Sequence, residues 1–253
     1  MALLIGYLYS GLDASQRSVH DRVGAIYFVL TNQIMSSSAS IRTFIAERDL
    51  VAHERRAGLF STGAYFLARS AAESVLQLLC SLAFAALAYA LVGFARSYAQ
   101  AFLFLAMVGA VTLVAESYVV MVGCLMPDER SASVVSPLVL ALLMVSGGLF
   151  ISPASLPPAF ALLAKANLFT YGFAALVANE FAGLALTCEA HEMVGRGREQ
   201  RCPVESGEQV IAQMQINALS PAENLGALLL LLLLFRLLGF PALHRRLRSP
   251  LQR

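Results

Sequence analysis

Apolar segments long enough to cross a lipid bilayer are the feature that most constrains this chain. A helix needs about 20 apolar residues to cross the hydrocarbon core. The segments that reach this length, or come close to it, are residues 23–41, 60–94, 98–126, 131–151 and 222–243. We therefore expect an all-α, polytopic helical membrane protein.

Composition excludes other classes of protein. Of the 253 residues, 58% are hydrophobic and only 13% are charged, whereas soluble domains carry roughly 25% charged residues. A chain this apolar has too little polar surface to remain soluble as one folded unit. A disordered chain and a small disulfide scaffold do not fit this length and composition. The formal net charge of +2 is too small to indicate a nucleic-acid partner.

The distribution of arginine predicts the orientation of the segments, because short cytosolic loops are enriched in basic residues. Basic residues concentrate in residues 42–58, in the turn that contains Arg130 and in the tail, residues 244–253. Five crossings place these regions on the same side of the membrane, which is then cytosolic. The long polar region, residues 153–221, is then external.

Three shorter apolar stretches do not fit a simple crossing. Residues 157–167 and 170–186 contain Pro or Gly and are too short to span alone, so we expect re-entrant or interfacial helices in the last external loop. Residues 1–12 are also too short, and they lack the basic start and the cleavage site of a signal peptide. We interpret them as the end of a truncated first transmembrane helix.

The four cysteines fall into two groups. Cys80 and Cys124 lie within apolar segments, where a cysteine is usually a small packing residue. Cys188 and Cys202 lie in the predicted external loop, where disulfides persist, and we expect them to form a disulfide. A metal site formed by these two residues with His191 is the alternative, although the spacing is a weak metal signal.

Charged residues inside apolar segments are candidate functional residues, because each one is costly in a bilayer. Arg69 and Glu73 are four residues apart on one helix face, which fits either a local ion pair or a link to neighbouring helices that move. Glu116 lies deep in its segment. It is a buried structural carboxyl, a helix–helix contact or part of a permeation path.

Polar residues also interrupt segment 23–41, where Asn32 and Gln33 are followed by Met35 and a run of serines. The serines fit close helix packing. Asn32 and Gln33 are large for that role, so we expect one of them to line a cavity. The adaptable side chain of Met35 suits a hydrophobic ligand there.

Residues 42–58 form a polar, amphipathic segment on the predicted cytosolic side. Ile41, Phe44, Ile45 and Val51 can share one apolar side of a helix. Such a helix can lie at the membrane interface, but its acidic residues make it a poor anchor for anionic lipid. We therefore favour a docking helix for a cytosolic protein partner.

Motifs for enzymatic chemistry are absent from the sequence. No G-x-x-x-x-G-K-[ST] phosphate-binding loop occurs, so we do not expect the chain to hydrolyse nucleotides by itself. No G-x-S-x-G motif occurs, and none of the four histidines lies in an apolar segment. We expect neither a metal nor a cofactor on this chain.

A series of short motifs runs along the chain in a fixed order. They are R-x-G at 22–24, T-N-Q at 31–33, F-x-x-E-R at 44–48, H-E at 53–54, A-Y-F-L-A at 64–68, E-S at 116–117, M-P-D at 126–128 and S-G-G-L-F at 146–150. The most specific is Y-G-F-A-A-L at 171–176, which runs into N-E-F at 179–181. Together they resemble the transmembrane domain of G-subfamily ABC half-transporters, the group of White-type and multidrug or sterol exporters, over nearly the whole chain.

This resemblance implies the membrane-spanning half of an ATP-driven exporter that moves hydrophobic or amphipathic substrates, such as lipids, sterols or drugs, by alternating access. It implies a dimer with a second half-transporter, identical or different. It also implies a cytosolic ATP-binding domain that binds ATP and Mg, so we interpret the sequence as a fragment without that domain. The plasma membrane is the expected location. The alternatives are a non-transporting membrane scaffold or inactive remnant, and a membrane enzyme that uses Glu116.

The resemblance further implies roles for individual residues. The substrate cavity includes Asn32 and Met35 and, by a weaker match, Ala141 and Met144. The hydrophobic plug between the cavity and the exit is formed by Leu149 and Phe150, where many members have two leucines. The residues that couple the chain to the ATP-binding domain are Glu47, Arg48, His53 and Glu54. The external disulfide is likewise a feature of the family.

Overall fold

The structure is a computed structural model that describes residues 1–9, 11–13, 15–57, 59–94, 97–151, 157, 163–187, 202–216 and 219–248. Within these ranges it contains α-helices, and its only β-structure is two isolated bridges. The helices are α1 (Ala2–Leu8), α2 (Gln16–Ser37), α3 (Ser40–Arg56), α4 (Thr62–Val92), α5 (Tyr98–Leu125), α6 (Glu129–Val145), α7 (Leu168–Phe181), α8 (Gly207–Gln213) and α9 (Pro221–Arg248). The predicted all-α fold is confirmed.

Three of these helices are long and apolar enough to cross a membrane, namely α4, α5 and nearly all of α9. They confirm the predicted polytopic membrane protein. The sequence also predicts crossings at α2 and α6. The first turns of α2 carry Arg17, His20, Asp21 and Arg22, and the 17 residues of α6 form about 26 Å of helix. Length and composition alone therefore do not select these two helices, and their crossing stays a prediction.

The helix α5 lies at the centre of the bundle. In its most apolar window 78% of the residues are buried, against 22% for α4 and for α9, so other helices surround α5 while α4 and α9 present apolar side chains outward. Small residues allow close helix packing. A Cβ on Gly239 of α9 would lie 3.3 Å from the Cα of Met121, and one on Gly109 would lie 2.9 Å from a methyl carbon of Leu78. These approaches pack α4, α5 and α9 into one unit.

The helix α7 is short and buried. Its 14 residues correspond to about 21 Å, less than the ~30 Å of a hydrocarbon core. Asn167 fixes its start, because Oδ1 accepts from the Phe169 amide at 2.9 Å and Nδ2 donates to the Leu143 carbonyl of α6 at 2.8 Å. The re-entrant arrangement of residues 170–186 stays a prediction, as does that of residues 157–167, of which 158–162 lie outside the described ranges.

Short-range signals set the ends of α4 and α6. Asp128 caps α6 by accepting a hydrogen bond from the Ser131 amide at 2.8 Å, and this bond lowers the pKa of the Asp128 carboxyl. Ser61 caps α4 in the same way through the Ala64 amide, at 3.2 Å. Gly93 ends α4 with a φ of 76°, which glycine adopts without strain.

Candidate functional site

The predicted coupling segment forms α3, which packs against α5 and α6. Its apolar residues Ile41, Phe44, Ile45 and Val51 are at most 6% exposed. The opposite side is open, and Leu50 on that side is 61% exposed. The helix therefore has one face fixed to the bundle and one face free of it.

The four residues predicted to couple the chain to an ATP-binding domain lie in different surroundings on α3. His53 is exposed, and Glu47 and Glu54 are partly exposed beside the open face. Arg48 is only 3% exposed. Its side chain therefore points toward the bundle, where it has no surface left for direct contact with a docked domain.

Arg48 binds the end of α5. Its guanidinium donates to the carbonyl oxygens of Gly123 at 2.7 Å, Met126 at 2.9 Å and Pro127 at 3.1 Å. The last carbonyls of a helix lack backbone donors and form the negative end of its dipole. The buried Arg48 guanidinium supplies both the missing donors and a positive charge, so it joins α3 firmly to α5.

Glu47 joins α3 to α4 through a chain of charges. Its Oε2 lies 2.5 Å from Nε of Arg69, and Nη1 of Arg69 lies 2.5 Å from Oε2 of Glu73. Gln77 extends the chain by donating to Glu73 at 3.4 Å. The Arg69–Glu73 pair is thus a local i,i+4 ion pair, and it is also part of a link to a neighbouring helix. Both kinds of contact considered from the sequence are present.

Glu116 is fully buried and forms an ion pair with Arg236 of α9. Ser74 of α4 donates to Oε2 of Glu116 at 3.2 Å, and Arg236 donates to Ser74 at 2.9 Å and to Ser117 at 2.9 Å. The burial and the contacts fit two of the roles open from the sequence, a buried structural carboxyl and a helix–helix contact. It joins α4, α5 and α9 at one point.

The sequence reasoning missed Arg236. A charge inside a bilayer-length segment needs a partner, and Arg236 lies in the predicted segment 222–243. The signal was therefore available, because segment 222–243 contains a single arginine and α5 contains a single carboxylate, and each of these two groups needs a partner.

Gln33 belongs to a buried polar cluster between α2, α4 and α5. Its Nε2 donates to Ser81 at 2.6 Å and lies 3.4 Å from Oγ1 of Thr112, and Ser81 and Thr112 are 2.8 Å apart. Asn32, by contrast, is partly exposed. Of the two amides expected to be near a cavity, Gln33 is engaged within the bundle, and Asn32 is the one that faces outward.

The predicted cavity residues lie on a partly exposed surface of α2 and α6. Asn32, Met35, Ala141 and Met144 are all partly exposed, and the two helices contact one another. The neighbouring side chain of Leu138 is 59% exposed. Met35, Ala141 and Met144 supply hydrophobic contacts on these helices, and the Asn32 amide and the exposed Ser36 supply hydrogen-bonding groups.

The predicted plug residues follow the end of α6. Leu149 is partly buried, and Phe150 is 61% exposed. The ring of Phe150 meets the ring of Tyr27 edge-on, with 5.6 Å between centroids, and the Tyr27 hydroxyl donates to the Met144 carbonyl. Tyr27 of α2 therefore holds both the last turn of α6 and the plug residue, a role the sequence did not reveal.

Polar pairs join the helices at the other end of the bundle. Arg22 of α2 forms a buried ion pair with Glu180 of α7. Gln100 of α5 and Asn179 of α7 exchange hydrogen bonds through their side-chain amides and main-chain carbonyls, at 3.1 and 3.0 Å. Three of these residues lie in the sequence motifs, and the contacts give them a physical role in positioning α7.

The cysteines agree with the sequence as far as they are described. Cys202 is disulfide-bonded, whereas Cys80 and Cys124 are free thiols. Cys188 and His191 lie outside the described residues, so the Cys188–Cys202 pairing and the alternative metal site remain predictions. Among the residues that the structure describes, no group of His, Cys, Asp or Glu is arranged to hold a metal.

Comparison with known proteins gives the family. The ABC-2 type transporter family profile matches residues 1–181. Protein white of Ceratitis capitata is 30% identical over 98% of this chain and 36% of its own length. ABC transporter G family member 7 of Arabidopsis thaliana is 25% identical over 89% of this chain and 30% of its own length.

A third relative is the broad substrate specificity ATP-binding cassette transporter ABCG2 of Rattus norvegicus, which is 25% identical over 72% of this chain and 28% of its own length. The chain spans about a third of the length of the curated relatives it matches. The family match over residues 1–181 covers α1 to α7, with the polar cluster around Gln33 and the Arg22–Glu180 pair, and ends before α9. This chain belongs to the ABC-2 type transporter family and is related to the G-family ABC transporters.

Proposed function

We propose that this chain is the membrane-spanning half of an ATP-driven exporter for hydrophobic or amphipathic substrates. The observation that carries the proposal is the placement of α3. One face of this helix is tied to α4 and α5 by Glu47 and Arg48, and the opposite face exposes the apolar side chain of Leu50. A helix of this kind can receive force from a docked domain and pass it into the bundle.

The docked domain is an ATP-binding domain that carries ATP and Mg. The exposed strip on α3 consists of Ala46, Leu50 and His53, which repeat at helical spacing and are all exposed. Glu47 and Glu54 lie at its edges. An apolar centre with a charged rim is typical of a protein interface, and the name of the Rattus norvegicus relative includes an ATP-binding cassette.

The substrate binds between two such chains, against the surface of α2 and α6. Asn32 supplies one amide among Met35, Ala141 and Met144. Ligand sites are mostly apolar with a few placed polar groups, so this surface suits an amphipathic molecule with one or two hydrogen-bonding groups. The second chain, identical or different, closes the cavity, because the surface is open on a single chain.

Export then proceeds by alternating access in the plasma membrane. ATP binding moves α3, the bundle closes around the substrate, and the plug of Leu149 and Phe150 opens toward the exit. The edge-on contact between Phe150 and Tyr27 holds the plug in place until then. The broad substrate range named for the Rattus norvegicus relative supports a cavity of this apolar kind.

Transport in proteoliposomes tests the proposal. The chain together with its ATP-binding domain is reconstituted, and uptake of a cationic amphipathic dye and of a fluorescent sterol is followed with and without ATP. We expect ATP-dependent uptake of at least one probe. Replacing Glu54→Ala lowers uptake by about fivefold or more while ATP hydrolysis continues, because docking is weakened and the catalytic groups of the ATPase are untouched.

The matched control is Arg245→Ala, which removes an exposed charged side chain of α9 and leaves α3 untouched. This control transports like the unmodified protein. Uptake that does not require ATP, or a Glu54→Ala variant with unchanged uptake and hydrolysis, contradicts the proposal.

A further inference from the structure

The turn between α5 and α6 is held by two arginines from helices that are distant in the sequence. Arg48 of α3 donates to the carbonyls of Gly123, Met126 and Pro127. Arg246 of α9 donates to the carbonyls of Leu125 and Pro127, each at 3.0 Å. We call Arg48, Arg246 and the carbonyls of residues 123–127 the arginine clamp.

The clamp binds a short turn that has little conformational freedom. Only residues 126–128 separate α5 from α6. Arginine presents several donors in a rigid fork, and bonds from a charged donor are roughly twice as strong as neutral ones. On the far side of the turn, Asp128 caps α6 through the Ser131 amide. The turn is therefore attached to α3, to α9 and to the first turn of α6.

The helix α6 leads directly from the clamp to the proposed transport path. It begins at Glu129, carries Ala141 and Met144, and ends just before Leu149 and Phe150. The helix α9 follows α5 above the clamp, through the contact of Phe235 with Tyr118 and the Arg236–Glu116 pair.

We propose that the arginine clamp passes movement of α3 to α6 and α9, with Arg48 and Arg246 as positioning residues. This inference rests on the proposed function, in which α3 receives force from the ATP-binding domain. When α3 moves, Arg48 carries the α5–α6 turn with it, and α6 moves its cavity-lining and plug residues. Arg246 makes α9 follow the same movement, so that the bundle shifts as one body.

A purely structural role for the clamp predicts different behaviour. If the two arginines merely cap α5, their removal lowers stability and lowers transport and ATP hydrolysis in proportion. If they transmit movement, their removal lowers transport while ATP hydrolysis continues. The ratio of transported substrate to hydrolysed ATP therefore distinguishes a link from a simple helix cap.

The first experiment measures this ratio in proteoliposomes for Arg48→Met, Arg48→Lys and Arg246→Met. We expect Arg48→Met to lower the ratio by about tenfold, with hydrolysis maintained. Arg48→Lys keeps the positive charge but loses the forked set of donors, so we expect its ratio to lie between those of Arg48→Met and the unmodified protein. Arg246→Met shifts the ratio in the same direction. The double variant is no worse than Arg48→Met, because both residues act on one turn.

The matched control is Arg245→Met, which removes the neighbouring exposed arginine of α9 and leaves the ratio unchanged. An unchanged ratio in Arg48→Met overturns the inference, as does a proportional loss of transport and hydrolysis.

The second experiment needs no transport activity, so it separates failure of the clamp from failure of the proposed function. Hydrogen exchange is measured on the chain in lipid nanodiscs. Arg48→Met is expected to speed exchange in α3 and also in the first turns of α6, whereas Arg245→Met changes neither. Faster exchange confined to α3 overturns the inference that the clamp links α3 to α6, even if the unmodified protein transports substrate. A second outcome is faster exchange in both α3 and α6 of Arg48→Met while the unmodified protein shows no ATP-dependent transport. This outcome overturns the proposed function, but it supports the physical link between the two helices.

Discussion

Arg236 on α9 forms an ion pair with Glu116 on α5, and Ser74 on α4 is hydrogen-bonded to both. The consecutive helices α4 and α5 and the distant helix α9 thus meet at one buried charge pair. Because an unpaired charge is costly inside a bilayer, each partner makes the other acceptable there. The pair therefore fixes which face of α9 packs against α5.

Removal of one partner of this pair is expected to destabilise the bundle more than removal of both. Glu116→Gln leaves the Arg236 charge without its partner, and breaking a buried pair typically costs about 3–5 kcal/mol. Glu116→Gln combined with Arg236→Met removes both charges and recovers much of that loss. Thermal unfolding in detergent compares the stability of the unmodified protein, Glu116→Gln and the double variant. A double variant that is no more stable than Glu116→Gln would contradict the assignment of a direct pair.

Neighbouring amides on α2 are expected to respond in opposite ways. Gln33→Ala removes buried hydrogen bonds to Ser81 and Thr112, so it lowers thermal stability by about 1–2 kcal/mol. Asn32→Ala leaves stability unchanged and alters the ranking of transported substrates, because Asn32 lies on the open surface. Each variant is the control for the other. The same stability loss in both variants argues against this division.

The plug is expected to depend on the contact between Phe150 and Tyr27. An aromatic pair contributes about 0.5–1.5 kcal/mol beyond its buried area. Phe150→Ala therefore raises dye leakage through proteoliposomes in the absence of ATP by about two- to tenfold. Tyr27→Phe keeps the ring and loses only the bond to the Met144 carbonyl, so it leaks less than Phe150→Ala. Equal leakage in the unmodified and Phe150→Ala proteins contradicts a plug at this position.

The cap of α6 is expected to weaken in acid. The Ser131 amide lowers the pKa of Asp128 below its ordinary value of 3.8, so the folded state favours the ionised form. This stabilisation is present above the ordinary pKa and is lost as the pH falls through the folded pKa. Asp128→Asn keeps the capping geometry but does not titrate. Hydrogen exchange in the first turn of α6, corrected for intrinsic rates, follows the effect from pH 7 to pH 3.

Two outcomes are distinguishable in that experiment. The unmodified protein loses protection in acid, and Asp128→Asn stays constant. A parallel response of both proteins shows that another group controls the first turn of α6.

The external disulfide is expected to join Cys188 and Cys202. Cys202 is disulfide-bonded, and the cysteines of α4 and α5, Cys80 and Cys124, are free. Digestion without reduction is expected to release the two peptides joined, and reduction separates them in the mass spectrum. Alkylation of both cysteines under oxidising conditions contradicts the pairing.

The sequence indicates the long apolar helices, but it does not indicate which helices contact one another. Long apolar runs predict α4, α5 and α9 because crossing a bilayer requires such runs. The pairing of Glu116 with Arg236 joins residues 120 positions apart, and no local periodicity encodes that distance. Gln33 and Asn32 are adjacent and chemically alike, so only the position of α2 between its neighbours separates a bundle contact from an open surface.

Arg48 is the case in which a local signal was present. It lies three or four residues from Phe44, Ile45 and Val51, which places it on the buried side of α3. The family resemblance nevertheless places Arg48 among the residues that couple the chain to the ATP-binding domain. The carbonyls at the end of α5 explain its burial, since they need donors that only a neighbouring helix supplies.

The most direct test of the account is photocrosslinking from the open face of α3. A photoreactive amino acid at Leu50, which is 61% exposed, is compared with one at Leu230, which is 70% exposed on the outer surface of α9. We expect Leu50 to crosslink to the ATP-binding domain and Leu230 to crosslink to lipid. Crosslinking of Leu50 to lipid alone contradicts the central claim that α3 receives the ATPase.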